Sequence, residues 1–232
     1  MEAFALVDYD NLPLTVQQAG LAGLAHQIDA VAQAANPSLS DLHIRLYGGW
    51  YTHAGLTKKG TQLSQVIGTT FPIPLMHSTG TRRYLRCEIA SALLSSPSDV
   101  FYATLRQRAG IRSRLASKNP KWCANPSGCP IQACVLWSQG SCSVAGCTVV
   151  STEAFEYYEQ KLVDTLLCCD LVHLSLAQND PIYVISDDDD MAPAILMASK
   201  YATFISHLRR SVVAPKAYDP MLVSNKVRIE QY

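Results

Sequence analysis

Residues 181–198 read PIYVISDDDDMAPAILMA. The run from Pro181 to Ser186 is short, apolar and rich in β-branched side chains, which predicts a buried strand. Four consecutive aspartates follow it, and the apolar spacing from Ala192 to Leu208 then predicts a helix. The N-terminus has the same arrangement. Ala3 to Val7 (AFALV) is an apolar run ending in acids, and Val16 to Ala35 is rich in Ala, Leu and Gln at helical spacing. HIRLYGGWY, residues 43–51, reads as another strand closed by Gly48 and Gly49, and Leu56 to Ile67 as an amphipathic helix. Strands alternating with helices at both ends of the chain predict an α/β fold. Its mostly parallel central sheet would be flanked by helices, with ligand sites at the carboxyl ends of the strands. From about residue 82 to residue 150 the pattern gives way to Arg-rich, Pro/Gly/Ser-rich and Cys-rich sequence. This stretch reads as an insertion within one domain spanning residues 1–232.

The length of 232 residues suits one α/β domain with a substantial core plus an insertion. The 19 basic and 19 acidic side chains cancel, so any grip on a polyanion has to come from a local patch. No stretch approaches the roughly 20 apolar residues that span a bilayer, and the N-terminus opens on a strand-like FALVDYD, not on a basic-then-apolar signal. These features predict a cytoplasmic protein with no membrane partner. Eight cysteines fit reduced thiols better than a disulfide framework at this size, the adjacent pair Cys168 and Cys169 included. That pair lies in an apolar helical stretch and reads as core.

Two acidic clusters sit at strand ends. In LVDYDNL, Asp8, Asp10 and Asn11 follow a buried strand, where carboxylates emerge together at the sheet edge and offer the hard oxygen ligands that Mg²⁺ or Mn²⁺ takes. A plain strand-end turn uses the same residue types. In ISDDDDMAP, Asp187, Asp188, Asp189 and Asp190 stand between a strand and a helix, where one of them is expected to cap the helix. Four adjacent charges beside a buried strand repel unless a cation neutralises them. A third segment, QKLVDTLLCCDLVHL, is helical and apolar but carries Asp164 and Asp170. Six residues turn a helix through about 600°, so these two cannot both face one site, and one of them is expected simply to be exposed.

The order VDYDNL, then QKLVDTLLCCDLVHLSLAQNDPIYVISDDDDMAPAI, resembles the NYN family of PIN-like nucleases. That family pairs a strand ending in Asp-x-x-Asn with a Lys-Gly-Val-Asp helix and a Ser-Gly-Asp-Ser-Asp-Phe-x-Pro strand end. Asp8 and Asn11 match the first motif, Asp164 the second, and Ser186, Asp188, Asp190 and Pro193 the third. The resemblance covers roughly residues 1–80 and 157–213 and rests on motif order more than on any single motif. Leu162 stands where the family has Gly, Asp187 where Gly is common and Met191 where Phe is common. Asp187 is an extra carboxylate that competes with Asp188 for a cation. The resemblance implies that Asp8, Asp164, Asp188 and Asp190 hold one or two divalent cations, supported by Asp10, Asn11, Ser186 and Asp187. Those cations would activate water against a phosphodiester of single-stranded or structured RNA.

Between these motifs, Arg82, Arg83, Arg86, Arg106, Arg108, Arg112 and Arg114 are interleaved with Tyr84, Phe101 and Tyr102. Arg with aromatics suits phosphate contact and base stacking, so this segment is the expected substrate grip, the alternative being an ordinary charged face. Cys123, Cys129, Cys134, Cys142 and Cys147 crowd a turn-rich stretch. Four of the five would hold a structural Zn²⁺, which four being open, or all five are free thiols. His43, His77, His173 and His207 show no ligand spacing and carry no expected role. Two other functions fit parts of the pattern. A haloacid-dehalogenase-like phosphohydrolase would use Asp8 as nucleophile and Asp10 as general acid, although Asn11 stands where that family has Thr or Val. A non-catalytic RNA-binding protein would not need the acids, which are intact at every expected position.

Overall fold

Alternate residues of a strand face opposite sides of its sheet, and both sides of AFALV are buried. Ala3, Ala5 and Val7 pack into one hydrophobic core, while Leu6, with the partly buried Phe4, packs into a second. A strand buried on both faces belongs in the middle of a parallel sheet. The computed structural model describes residues 1–76, 82–98, 103–109, 148, 156–177, 179–210 and 214–231.

In chain order the first half comprises β1 (Glu2–Asp8), α1 (Leu14–Gln18), α2 (Gly20–Ala35), β2 (Asp41–Tyr47), β3 (Tyr51–Thr52), β4 (Gly55–Leu56), α3 (Lys58–Thr70), β5 (Ile73–Met76) and β6 (Arg82–Ile89). Then come β7 (Leu105–Ala109), β8 (Glu156–Gln160), α4 (Val163–Ala177), β9 (Ile182–Ile185), α5 (Ala192–Ala198), β10 (Ile205–Arg209), α6 (Asp219–Ser224) and β11 (Arg228–Gln231). Seven strands form the main sheet in the order β11-β10-β9-β1-β2-β6-β5. Every pair in it is parallel except β5 with β6. The expected α/β class, with a mostly parallel sheet flanked by helices, is therefore what the chain adopts. Residues of α2 and α3 build the core on one face, and residues of α4, α5 and α6 build the core on the other.

This strand order reverses direction between β1 and β9. Chain leaving β1 crosses toward β2, and chain leaving β9 crosses toward β10, so a crevice opens at their carboxyl ends. Asp8 ends β1 and the four aspartates follow β9. The topology itself brings the two acidic motifs face to face.

Several expected elements differ. Ala192 to Leu208 is not one helix: α5 ends at Ala198, and Ile205–Arg209 is a strand paired with both β9 and β11. The pairing available between those strands overrides the local apolar spacing around Phe204 and Ile205. The Val16 to Ala35 helix is two helices, α1 and α2, meeting at Gly20, whose φ of +83° interrupts a continuous helix. Arg82–Ile89 pairs with β2 inside the main sheet, so the expected insertion does not begin at residue 82. The chain divides instead into a unit of Met1–Thr104 with Gln160–Tyr232 and a second unit of Leu105–Glu159. Within the second unit's described residues, Arg108 pairs with Glu159 at 3.4 Å. Cys87, Cys168 and Cys169 are free thiols, and Cys169 is exposed where a core residue was expected. No helix among the described residues is long and apolar enough to cross a membrane.

Candidate metal centre

The site begins with Asp8, which is 1% exposed at the end of β1. Its Oδ2 accepts from Asn11 Nδ2 at 2.7 Å and from Ser186 Oγ at 2.9 Å. Both bonds fall on one oxygen, which leaves Oδ1 for another partner. Ser186 Oγ in turn accepts the backbone N–H of Asp188 at 3.0 Å, and Asp188 Oδ1 accepts the N–H of Asp190 at 3.0 Å. One hydroxyl therefore links the β1 and β9 motifs and sets where Asp188 stands.

Asp164 enters from the first turn of α4. Asp8, Asp164 and Asp188 each offer an oxygen, and these oxygens all lie within 4.8 Å of one another. Two oxygens on opposite sides of a Mg²⁺ are about 4.2 Å apart, given bonds of roughly 2.1 Å. Adjacent oxygens on such an ion are about 3.0 Å apart, so the three side chains would draw in toward a cation held between them. Three hard oxygen donors, with no sulfur or imidazole among them, match Mg²⁺ or Mn²⁺ and not a soft metal.

The electrostatics show what is left uncompensated. Burial pushes the Asp8 carboxyl up to about 6, against the lowering effect of Asn11 and Ser186, and the charges of Asp164 and Asp188 push it further. Asp164 is also raised, by desolvation and then by Asp188 and Asp190, although it reaches solvent. A buried carboxylate facing two like charges is the electrostatic setting that a divalent cation would relieve.

The other acids have other partners. Asp187 accepts from the backbone and side chain of Arg210, just after β10, so it is drawn away from Asp188 and does not compete for the trio. Asp189 binds Lys216 Nζ at 2.7 Å and Tyr218 OH at 3.0 Å. Asp190, expected as a ligand, stands outside the trio and acts on it through its N–H bond to Asp188 and through its charge on Asp164. Asp10 accepts from Lys59, from Gln160 and from the Gly49 N–H, the last at 2.7 Å. Asp10 is thus an acceptor in three contacts.

Asp170 is the reverse of an exposed residue. Fully buried, it accepts from Arg45 Nε at 3.1 Å, Tyr47 OH at 2.7 Å and the Leu94 N–H at 2.8 Å. It ties α4 to β2, while Asp164, six residues earlier, turns to the site. Leu162, where the resembled family has glycine, has a φ of +67°. That left-handed backbone costs a non-glycine residue about 1–2 kcal/mol. The departure is thus one of side chain, at a position whose conformation suits glycine.

Within the first unit, Arg82, Arg83 and Arg86 of the arginine segment do not gather at the site. Arg82 and Arg83 begin β6, at the end of the sheet opposite its carboxyl edge, and seven residues of strand put Arg82 roughly 23 Å from that edge. Arg83 is held by Asp29 of α2, and Arg86 lies over the Tyr84 ring at 5.6 Å. Arg106 and Arg108 belong to the second unit. Arg112, Arg114, Phe101, Tyr102 and all five cysteines from Cys123 to Cys147 fall outside the described residues.

Sequence reasoning gave no role to His207, yet it supports the loop. It is buried, its Nε2 donates to the Ser186 carbonyl at 2.9 Å, and burial pushes it down to about 4, so it is a neutral donor. Isolated histidines carry no spacing signal, which is why it could not be found. Gly48 also matters. A Cβ there would lie 2.6 Å from the buried Trp50 ring and 2.7 Å from Asp10 Oδ2. Trp50 is fixed by its Nε1 bond to the Leu46 carbonyl at 2.9 Å. Gly48→Ala is therefore expected to cost about 1–3 kcal/mol, read as a lower urea midpoint; an unshifted midpoint would mean the ring moves aside freely.

Compared with protein-family models, with curated proteins and with solved structures, the chain gives no match.

Proposed function

We propose that the chain is a metal-dependent endonuclease acting on RNA. The observation that carries this reading is the convergence of Asp8, Asp164 and Asp188, from three separate elements, at the point where the sheet reverses its strand order. A divalent cation bound there would polarise a phosphodiester oxygen and lower the pKa of water. The protein's own contribution is placement. Asn11 and Ser186 orient Asp8, the Asp188 amide holds Ser186 in turn, and His207 fixes the strand end from beneath. Arg210 and Lys216 neutralise Asp187 and Asp189, which limits the negative field that an incoming phosphate meets. The order of motifs and the left-handed backbone at Leu162 both support the PIN-like, NYN-type resemblance.

Purified full-length chain incubated with labelled single-stranded RNA is expected to cleave it in Mg²⁺ or Mn²⁺ and to leave it intact in EDTA. Cleavage in EDTA, or none with either metal, would overturn the reading. A parallel incubation with single-stranded DNA reads out the sugar preference.

A further inference from the structure

Beside the acidic loop, α5 and α6 leave a groove of about 540 Å³. Leu196 and Met197 of α5, Met221 of α6 and Tyr218 supply half of its lining residues, with Lys200 and Asp189 as the charged groups. Met197 and Met221 are 42% and 48% exposed. Tyr201 and Val223 are exposed as well. A groove of this volume matches a small organic ligand.

Charge narrows the choice of occupant. Lys200 is the cation of the groove's lining, and of the basic side chains that follow it Arg209, Arg210 and Lys216 are already paired with Asp219, Asp187 and Asp189. Asp189 is paired with Lys216 and receives the Tyr218 hydroxyl, so it does not oppose an anion. The same hydroxyl bond pins the Tyr218 ring, giving a fixed aromatic surface beside two polarisable thioethers. An aromatic platform with a nearby cation is the usual equipment for a single-stranded nucleic acid, where bases stack and the backbone seeks positive charge.

We propose that this groove is a base-binding subsite, holding a nucleotide of the strand whose phosphate is presented to Asp8, Asp164 and Asp188. It rests on the nuclease reading for its orientation, since Asp189 lines the groove and adjoins Asp188. Lys200 takes a backbone phosphate, and Met197, Met221 and Tyr218 take the base. The strand is thereby gripped on the β9 side of the sheet, not by the arginines of β6.

The test compares the full chain with its Met221→Ser and Lys200→Glu variants, both changes at exposed positions. Binding is read by fluorescence anisotropy of a short fluorescein-labelled single-stranded RNA of mixed sequence, with Ca²⁺ replacing Mg²⁺, and cleavage is read separately in Mn²⁺. Each variant is expected to bind about tenfold more weakly, with KM raised and kcat held within about twofold. Variants that bind like a cleaving parent would overturn the subsite and leave the nuclease reading standing. Variants that lose binding while the parent never cleaves would uphold the subsite as a strand-binding groove and remove the nuclease. A parent that binds no RNA overturns the subsite. So does sedimentation showing self-association that Met221→Ser abolishes, because a second copy then fills the groove.

Discussion

The Asp8→Asn variant is expected to lose RNA cleavage by several orders of magnitude and yet, in metal-free buffer at pH 8, to be more stable than the parent. On the proposed nuclease reading, the first effect follows from removing a charged oxygen that would hold the cation. The second follows from the Asp8 carboxyl, pushed by burial up to about 6 from an ordinary 3.8. A raised value means the fold prefers the protonated form. Its contribution to stability is fully present below 3.8 and is lost as pH rises through about 6. Between those limits the loss amounts to roughly 3 kcal/mol, and an asparagine, which keeps an acceptor for Asn11 and Ser186, is free of it. His207 runs the other way: pushed down to about 4, it contributes stability above 6.5 that is lost as pH falls through about 4. Both proteins contain His207, so the difference between their urea-unfolding curves isolates Asp8. That difference should open toward pH 8 and close toward pH 4. Mg²⁺ should raise the parent's midpoint and not the variant's. A parent more stable than the variant at pH 8 in EDTA would contradict this account.

Asp170→Ala is expected to destabilise the fold by about 3–5 kcal/mol, the cost of leaving a buried charge without its partner. Arg45 is 8% exposed and would keep Glu88 and the Ala92 carbonyl but lose its buried carboxylate. Tyr47 OH and the Leu94 N–H would also lose their acceptor. Because this network ties α4 to β2, and α4 carries Asp164, the variant should also bind Mn²⁺ more weakly. The Asp170→Leu and Arg45→Met double variant should recover much of the stability, since apolar groups can replace a buried pair that is removed whole. Calorimetric or urea unfolding in EDTA measures the first effect and titration calorimetry the second. A loss below about 1 kcal/mol for Asp170→Ala would show that the pair is not what holds the helix.

The α/β class and the acids at two strand ends were legible because both are local. A run such as PIYVIS reports burial by composition, and an aspartate directly after it must emerge where the strand ends. Asp8, Asp188 and, through the family resemblance, Asp164 could therefore be named before any contact was known. Less local features misled. Ile205–Arg209 is a strand only because β9 and β11 accept it, and Arg82–Ile89 belongs to the main sheet because β2 pairs with it. Neither pairing leaves a trace in a window of ten residues.

The sequence by itself determined that strands and helices alternate and that carboxylates cluster at strand ends, since periodicity and neighbouring residues decide those things. Tertiary structure alone decided which carboxylates meet. Asp164 reaches Asp8 and Asp188 because strand order brings three elements to one crevice. Asp170, Asp187, Asp189 and Asp10 are taken by Arg45, Arg210, Lys216 and Lys59, partners between 23 and 125 residues away for Asp187 and Asp170 respectively. A carboxylate's role depends on which charge lies within a few ångströms of it, and that distance is set by the packing of the whole sheet.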